Sequence, residues 1–309
     1  MNIYSSLDEL KNKKYAVSVG MYDGVHLGHQ KMIEVLTEKA KEKELESLIV
    51  TFEIHPKVVL NNDPPKLLMT NQDKSECFEK LGVDNVLFLN FTKRISNMEA
   101  DEFVKKVLVD KLNAAEIVIG KNHKFGNKQK GDYNFLERIS GDFDFNVTEV
   151  PLIKYESKKI SSTWVRKTII EGKLRLTKEL LNRFYSVKGY VEKGTRRGTD
   201  LGYPTANIEA IETKLPLDGV YSSYVDYEGE KFPAMSYIGY SPTYGGNKRK
   251  VEVHIFDFNR NIYGDELKVY FVAKIRNEDT FSSDEELKKK LMIDKNITLS
   301  ILADEDMLF

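Results

Sequence analysis

The chain has 309 residues, of which 41% are hydrophobic and 31% are charged, and its 47 Lys and Arg residues nearly balance 48 Asp and Glu residues. This length favours two domains of ordinary size, and the balanced charge argues against a dedicated nucleic-acid-binding protein. The single cysteine, Cys77, excludes an intramolecular disulfide and is typical of a reducing compartment. We find no signal-peptide pattern and no run of about 20 apolar residues, so we expect a cytoplasmic protein without a membrane span.

Short apolar runs alternate with helical patterns through the first half of the chain. The runs predict β-strands at Ala16–Val19, Leu48–Phe52, Val86–Leu89, Ile117–Ile119 and Val147–Val150. Apolar residues at helical spacing predict helices over Gln30–Leu45, Asn97–Leu112 and Ser162–Gly172. Strands that alternate with helices form a parallel sheet with helices on both faces, so the first half predicts a Rossmann-like α/β domain.

The second half has the pattern of an all-β domain. Tyrosines become dense, and short alternating segments predict strands at Ser186–Val191, Val220–Val225, Val251–Phe258 and Leu267–Val272. A helix is predicted near the end, around Asp284–Met292. We therefore predict a small antiparallel β-barrel with a terminal helix, and two domains that comprise residues 1–185 and 186–309.

The turn after the first predicted strand carries two histidines. It reads Gly20-Met-Tyr-Asp-Gly-Val-His-Leu-Gly-His29, which is neither a P-loop nor a Gly-x-Gly-x-x-Gly motif. His26 and His29 lie three residues apart at the start of a helix, so both imidazoles can donate hydrogen bonds to a phosphate that Gly28 admits. Two alternatives stay open, namely ordinary turn residues and a zinc pair, for which a single cysteine leaves few further ligands.

A second polar motif, Ile160-Ser-Ser-Thr-Trp-Val-Arg166, opens the last helix of the first half. The hydroxyls of Ser162 and Thr163, followed one turn later by the cation of Arg166, suit the oxygens of a triphosphate. Ser-Ser-Thr is also a plain helix N-cap, so the motif alone leaves both interpretations open. Together, the two motifs resemble those of the nucleotidyltransferase superfamily, whose members attack the α-phosphate of a nucleoside triphosphate and release pyrophosphate.

A glycine-rich segment at residues 189–207 is the main polar motif of the second half. Three of its glycines lie among cations and precede Pro204-Thr-Ala-Asn207, as expected of a loop that cradles phosphates: Gly194, Gly198 and Gly202. Thr205 and Asn207 alternate along an extended segment, so both can offer neutral oxygens to a magnesium ion that ATP phosphates also hold. Glycine and charge alone would favour a flexible surface loop, and Pro204-Thr-Ala-Asn207 directly after the loop favours the phosphate site instead.

A carboxylate interrupts the apolar segment Val251–Phe258. Glu252 shares its strand face with His254, Phe256 and Phe258, where an unpaired charge is costly. A general base that takes the proton from a substrate hydroxyl would explain the position. A salt bridge to one of the many lysines is the structural alternative.

The order of the motifs resembles that of the prokaryotic bifunctional FAD synthetases over nearly the whole chain. The motifs that carry the resemblance are Gly20-x-x-Asp-Gly-Val-His-x-Gly-His29, Thr51-Phe-Glu-x-His-Pro56, Gly120-x-Asn-x-x-Phe-Gly126, Ile160-Ser-Ser-Thr-x-x-Arg166 and Pro204-Thr-Ala-Asn207. The resemblance implies an ATP site for adenylyl transfer at Gly20, Asp23, Gly24, His26, Gly28, His29, Ser162, Thr163 and Arg166. It implies a second ATP site for a kinase, with magnesium on the last two residues, at Gly194, Gly198, Gly202, Thr205 and Asn207.

Further roles follow from the same resemblance. It implies that Asn122 lies near the flavin and metal, that Glu252 is the general base for the 5′-hydroxyl of riboflavin, and that Arg276 contacts a substrate or product phosphate. The sequence departs from the family's usual residues at four positions near these motifs: Met21 and Tyr22 stand where Asn and Phe are usual, His123 where Phe is usual, and Trp164 where Arg is frequent.

The resemblance implies two magnesium-dependent reactions of FAD biosynthesis. The second domain converts riboflavin and ATP into FMN and ADP, and the first converts FMN and ATP into FAD and pyrophosphate. We expect small-molecule substrates, no nucleic acid and no membrane as partners, and the sequence does not specify an oligomeric state. Two alternatives are a lone FMN adenylyltransferase with a silent barrel, and a non-catalytic flavin-binding regulatory paralogue.

Overall fold

The computed structural model describes residues 1–10, 13–60, 63–194, 197–210, 213–240 and 249–304, apart from the side chains of residues 197 and 210. Contacts between Cα atoms divide the chain into two compact units. The first unit contains residues 1–66 and 71–162, and the second contains residues 67–70 and 163–309. The division of activities at residues 185/186 stays a prediction.

The first unit is built on a six-stranded sheet. Its strands are β1 (Asn2–Tyr4), β2 (Tyr15–Val19), β3 (Glu46–Phe52), β4 (Asn85–Leu89), β5 (Ala114–Gly120) and β6 (Asn146–Val150). They pair in the order β1-β4-β3-β2-β5-β6, and every pairing is parallel. Five consecutive residues of β3 are buried, as expected when both faces of a parallel strand are covered. The predicted α/β class is confirmed, as are the five predicted strands.

Helices connect these strands. They are α1 (Leu27–Glu42), α2 (Pro56–Val59), α3 (Asn71–Lys80), α4 (Lys93–Ser96), α5 (Ala100–Phe103) and α6 (Tyr133–Phe143), with a π-helical turn at Val104–Val109 and 3₁₀ turns at Leu7–Glu9 and Asn127–Gln129. A two-stranded ribbon, β7 (Lys154–Tyr155) and β8 (Lys158–Lys159), completes the unit. Helix α1 begins three residues before the predicted start because His26 caps its first turn. The helix predicted over Asn97–Leu112 corresponds to α5 and the π-helical turn.

Strand β2 lies where the order of the sheet reverses. The chain leads from β2 through α1 to β3 on one side, whereas β5 pairs with β2 on the other. In open α/β sheets, ligands bind beyond the carboxyl ends of the strands at such a point. The turn that leaves β2, residues 20–26, therefore occupies the expected position of a ligand site.

The second unit contains a closed antiparallel barrel. Its strands are β9 (Tyr185–Glu192), β10 (Ala206–Ala210), β11 (Gly219–Tyr227), β12 (Glu230–Tyr240), β13 (Arg249–Ile255) and β14 (Glu266–Arg276). They follow the order β10-β13-β12-β11-β14-β9, and the pairing of β9 with β10 closes the barrel. Its helices are α7 (Ser162–Ile170), which starts at the last residue of the first unit, α8 (Leu174–Leu181), α9 (Arg197–Asp200) and α10 (Asp284–Ala303). The predicted barrel and terminal helix are confirmed.

Several barrel strands differ from their prediction, and β10 was expected only as an extended segment around Thr205 and Asn207. Strand β12 was not predicted because Pro233 interrupts its alternating pattern. In the structure, β12 pairs with β13 only from Ala234 onward. Pro233 lacks an N–H, but this costs no hydrogen bond to β13 because Pro233 lies outside that pairing. Strand β13 ends at Ile255, before the predicted end at Phe258, and Asp257 follows with φ at +53°. Within the described ranges, no helix is long and apolar enough to cross a membrane.

Candidate active sites

The turn between β2 and α1 is held by hydrogen bonds to the neighbouring strand β3. The Gly20 amide donates to the Val50 carbonyl at 2.9 Å, and Oγ1 of Thr51 donates to the Met21 carbonyl at 3.1 Å. Tyr22 has a positive φ of 49°, an uncommon conformation for a residue with a side chain, and only 1% of it is exposed. Surrounding contacts thus fix the path of this turn.

Tyr22 departs from the family's usual phenylalanine, and the structure accommodates its hydroxyl. The Tyr22 hydroxyl donates to Oγ of Ser18 at 2.7 Å, and Ser18 in turn donates to the Val118 carbonyl at 2.8 Å. Burial raises the pKa of Tyr22 well above its usual range. The extra hydroxyl is therefore a neutral, hydrogen-bonded group that links the turn to β5, and it leaves the histidines in place.

The two histidines of the turn stack against each other. The ring centroids of His26 and His29 are 3.7 Å apart, and the ring planes differ by 14°. His26 is the N-cap of α1, and its Nδ1 accepts a hydrogen bond from the His29 amide at 3.3 Å. A Cβ at Gly28 would lie 3.2 Å from the His26 ring, closer than most such contacts. The predicted convergence of both imidazoles at a helix N-terminus is observed.

Ser162 also reaches this turn, although 139 residues separate it from its partner. Its hydroxyl donates to the Asp23 carbonyl at 2.8 Å, so the last residue of the first unit contacts the histidine turn. Asp23 is 2% exposed, so its carboxylate faces the protein interior. Thr163 and Arg166 belong by their contacts to the second unit, and their role in triphosphate binding stays a prediction.

The turn after β5 carries Asn122 and His123. Asn122 is exposed, and the amide of His123 donates to the Gly120 carbonyl at 2.8 Å. The His123 side chain lines a cavity of about 20 Å³ among apolar residues that include Phe103, Val19, Phe125 and Leu136. Burial lowers the pKa of His123 to about 4, so its imidazole is neutral at pH 7.

In the barrel, a row of polar residues crosses four adjacent strands. Asn207 of β10 lies opposite Glu192 of β9 and opposite Glu252 of β13, and Glu252 lies opposite Tyr237 of β12. Residues directly opposite on paired strands share one face of the sheet. Burial raises the pKa of the Glu252 carboxyl, and the Lys250 ammonium partly opposes this effect. The register thus brings together Asn207 and Glu252, two candidate site residues that the sequence places 45 residues apart.

The glycine-rich loop closes on the Pro-Thr-Ala-Asn segment. A Cβ at Gly194 would collide with the side-chain amide of Asn207, and one at Gly198 would overlap the Tyr203 carbonyl and lie 3.2 Å from Oγ1 of Thr205. Gly202 has a positive φ of 81°, which glycine adopts without strain. Three of the predicted loop glycines therefore lie within one compact arrangement, while Thr195 and Arg196 of the loop lie outside the described residues.

His254 supports this arrangement, a role that the sequence analysis missed. Its Nδ1 is 2.8 Å from the Pro204 carbonyl, and since a carbonyl only accepts, Nδ1 carries the hydrogen. The ring also packs edge-on against Tyr203 at 5.2 Å, and burial lowers the pKa of His254. The i, i+2 spacing from Glu252 in one strand was the signal available in the sequence.

Arg276 is engaged at the end of β14. Its Nε donates to Oδ2 of Asp294 in α10 at 2.8 Å, and its Nη1 donates to the Asn277 carbonyl at 3.1 Å. Asp294 is fully buried, so the ion pair ties β14 to the terminal helix. A phosphate contact by Arg276 would extend this ion pair or compete with it.

No group of three or more histidine, cysteine, aspartate or glutamate side chains suited to a metal ion occurs in the described part of the chain. The predicted magnesium ligands, Thr205 and Asn207, are instead neutral oxygen donors, which hard cations such as Mg²⁺ accept. They lie against Gly198 and Gly194, where any larger residue would fill the space beside them. The chemistry of these donors therefore fits a magnesium ion that also has phosphate ligands.

Comparison with known proteins covers both units. Residues 8–164 match the family described as FAD synthetase, and residues 181–302 match the family described as riboflavin kinase. The bifunctional riboflavin kinase/FMN adenylyltransferase of Buchnera aphidicola subsp. Schizaphis graminum is 38% identical over 305 residues, covering 96% of this chain and 97% of that protein. The protein of the same name from Haemophilus influenzae is 36% identical over 284 residues, covering 91% and 92%.

A solved structure matches the chain over the same extent. A crystal structure from Streptococcus pneumoniae, described as a macrolide-efflux protein, has a TM-score of 0.88 and 31% identity, and the match covers 96% of this chain and 98% of that one. Its description is a statement about that protein alone, whereas the sequence relatives share one bifunctional name and match both units. The chain therefore belongs to the family of bifunctional riboflavin kinase/FMN adenylyltransferases.

Proposed function

We propose that the two activities of the family are divided between the two halves of the chain, at residues 185/186. The protein is a bifunctional enzyme of FAD biosynthesis: the barrel phosphorylates riboflavin to FMN, and the parallel-sheet half adenylylates FMN to FAD with release of pyrophosphate. The observation that supports the division most directly is the register of β10 against β13, which sets Asn207 opposite Glu252 in the half that matches riboflavin kinases.

Glu252 is the proposed general base of the kinase. It takes the proton from the 5′-hydroxyl of riboflavin as that oxygen attacks the γ-phosphate of ATP. Burial raises the pKa of this carboxyl, which makes it a stronger base at neutral pH. A well-placed general base contributes a factor of about 100 to 10,000 in rate, so the reaction should depend strongly on this residue.

Thr205 and Asn207 are the proposed protein ligands of Mg²⁺ in the barrel. When bound, the ion neutralises charge on the phosphate oxygens. The backbone around Gly194, Gly198 and Gly202 then lies beside the phosphates of ATP. The hydrogen bond from His254 to the Pro204 carbonyl supports this proposal because it fixes the residue that precedes Thr205.

His26 and His29 are the proposed catalytic donors of the adenylyltransferase. Adenylyl transfer builds negative charge on the α-phosphate and on the departing pyrophosphate, and imidazole N–H groups beside a helix N-terminus stabilise that charge. Gly20, Asp23, Gly24 and Gly28 form the ATP-binding turn. Ser162, Thr163 and Arg166 hold the triphosphate, and the hydrogen bond from Ser162 to the turn supports the first of these three roles.

The flavin contacts are proposed from the family resemblance. Asn122 contacts FMN in the first half, and its exposed position in the turn after β5 is compatible with that role. Arg276 contacts the substrate or product phosphate in the barrel. We also propose that the enzyme works in the cytoplasm, since its ATP is made there and its single cysteine suits a reducing compartment.

One assay tests the proposed function against its alternatives. The purified protein is incubated with riboflavin, ATP and Mg²⁺, and FMN and FAD are separated by chromatography over time, with a parallel reaction that starts from FMN. We expect FMN and then FAD from riboflavin, and no product when EDTA removes the magnesium. FAD from FMN without any FMN from riboflavin would mean that the barrel is silent, and no product from either start would indicate a binding protein.

A further inference from the structure

A buried lysine lies beneath the histidine turn. Lys74 is 1% exposed, which is rare for lysine, and it occupies the middle of α3. One helical turn later, Phe78 packs edge-on against the Tyr22 ring, with a centroid distance of 5.5 Å. Because residues i and i+4 share one face of a helix, Lys74 lies on the face of α3 that packs against the turn.

Asp23 supplies the opposite charge from within the turn. It is 2% exposed and directly follows Tyr22. Burial lowers the pKa of Lys74, the Asp23 carboxylate partly offsets this effect, and the resulting pKa is about 8. A buried ammonium needs such a partner, and a buried carboxylate without its cation would be equally unfavourable. At pH 7 the ammonium is therefore charged.

Hydrogen bonds connect Lys74 to the strand beside the turn. Its Nζ donates to Oδ1 of Asn71 at 3.3 Å, and Nδ2 of Asn71 donates to the Glu53 carbonyl just beyond β3 at 3.0 Å. The main-chain carbonyl of Asp23 accepts the hydrogen bond from Ser162. Lys74 thus lies between the end of β3 and the turn that carries the histidines.

We propose that Lys74 is a positioning residue of the adenylyltransferase: its ammonium, together with the Asp23 carboxylate, holds the β2–α1 turn in the conformation that presents His26 and His29 to ATP. This inference rests on the proposed function of the first half. It assigns no contact with substrate to Lys74. The consequence is that adenylyl transfer weakens when Lys74 loses its proton, because the attraction between its ammonium and the Asp23 carboxylate is then lost.

Other titratable groups lie near Lys74 and could contribute to a pH profile. Asp23 faces it from the turn, and Asp73 precedes it on its own helix. Tyr22 remains protonated in mildly alkaline solution because burial raises its pKa. His26 and His29 start the adjacent helix α1 and belong to the site itself. A comparison with arginine at position 74 separates the titration of the lysine from that of these neighbours.

The test measures both activities of the full-length protein between pH 6.5 and pH 9.5. The upper limit lies about 1.5 pH units above the pKa of about 8, where half of the Lys74 ammonium has lost its proton. Lys74→Met should lower kcat for FAD formation from FMN by about 10- to 100-fold, because a small misplacement of catalytic groups costs up to about 100-fold in rate. The KM for ATP should change less. Wild-type kcat should fall on the alkaline side, whereas Lys74→Arg should remain active without that fall. Riboflavin phosphorylation should keep its wild-type rate in both variants.

Lys80→Met is the matched control, since Lys80 ends the same helix and is exposed. It should leave both activities unchanged. The inference is overturned if Lys74→Met keeps adenylyl transfer within threefold of wild type, or if Lys74→Arg shows the wild-type alkaline fall. If Lys74→Met does not fold, the pH profile of Lys74→Arg decides alone. A wild-type protein that forms no FAD would instead refute the proposed function.

Discussion

Protonation of His123 should destabilise the first unit in mild acid. Burial among apolar side chains lowers the pKa of this imidazole from 6.5 to about 4 in the folded protein, whereas the unfolded chain keeps the ordinary value. Between these two values the unfolded state binds the extra proton and the folded state does not. The stability that the neutral imidazole preserves is thus fully present above pH 6.5 and is lost as the pH falls toward 4.

The size of this effect follows from the two pKa values. Because a tenfold change in proton affinity is worth about 1.36 kcal/mol, the loss amounts to roughly 3.4 kcal/mol below pH 4. At pH 5.5 the same relation gives about 1.4 kcal/mol. A typical domain has a free energy of unfolding of about 5–15 kcal/mol, so the loss at pH 5.5 is large enough to measure.

The assay compares urea unfolding of the wild type and two variants at pH 7.5 and pH 5.5, followed by circular dichroism and by residual FAD formation from FMN. His123→Phe restores the family's usual aromatic, and His123→Asn keeps a polar group that does not titrate. Neither variant should show the loss of unfolding free energy that His123 protonation causes. On acidification, the free energy of unfolding of the wild type should therefore fall by about 1.4 kcal/mol more than that of either variant. Equal losses in all three proteins would refute the reasoning, because His123 would then titrate alike in the folded and unfolded states.

Three further predictions concern the active sites. Glu252→Gln should reduce FMN formation from riboflavin by about 100- to 10,000-fold and spare FAD formation from FMN; kinase turnover within threefold of wild type would exclude the general base. His29→Ala should lower FAD formation by about 100- to 1,000-fold with riboflavin phosphorylation retained, and equal loss of both activities would point to a structural role. Gly194→Ala should displace the Asn207 amide and raise the KM for MgATP in the kinase assay by about 10- to 100-fold, whereas Gly141→Ala, where a Cβ meets no atom within 4 Å, should not.

Much of the fold followed from the sequence because its strands have unambiguous patterns. Parallel strands buried on both faces are continuous apolar runs, and β3 and β5 were recognised for that reason. Strand β12 was missed because Pro233 and two small residues weaken its alternation of apolar and polar residues. Its pairing with β11 and β13 depends on the tertiary structure of the barrel, which the sequence pattern does not give. Helix α10 continues to Ala303, whereas the predicted helix ended at Met292. The extension was missed because the polar residues Asp294 and Thr298 occupy buried positions where an apolar pattern was expected.

The active sites were predictable where one short motif carries the chemistry. The close approach of the two histidines follows from their local spacing at the start of a helix. Asn207 and Glu252 were each chosen from their own motif, whereas their pairing became evident only from the register of β10 against β13. Lys74 and His254 were not predicted, because their importance depends on which distant backbone or carboxylate they meet. A lysine in a polar helix sequence reads as a solvated side chain, and only tertiary packing buries it beneath the histidine turn.

The glycines of both sites have a structural role that differs from the one inferred from the sequence. They were expected to give phosphates room beside the backbone, yet three of them also lie close to functional side chains. A Cβ at Gly194 would collide with the Asn207 amide, one at Gly28 would lie 3.2 Å from the His26 ring, and one at Gly198 would overlap the Tyr203 carbonyl and lie 3.2 Å from Oγ1 of Thr205. A side chain at any of them would crowd a group that is proposed to act on ATP, or the backbone that positions it. Glycine at these positions therefore seats the functional side chains as well as admitting the nucleotide, which explains why motifs for unrelated reactions on two different folds share the same residue.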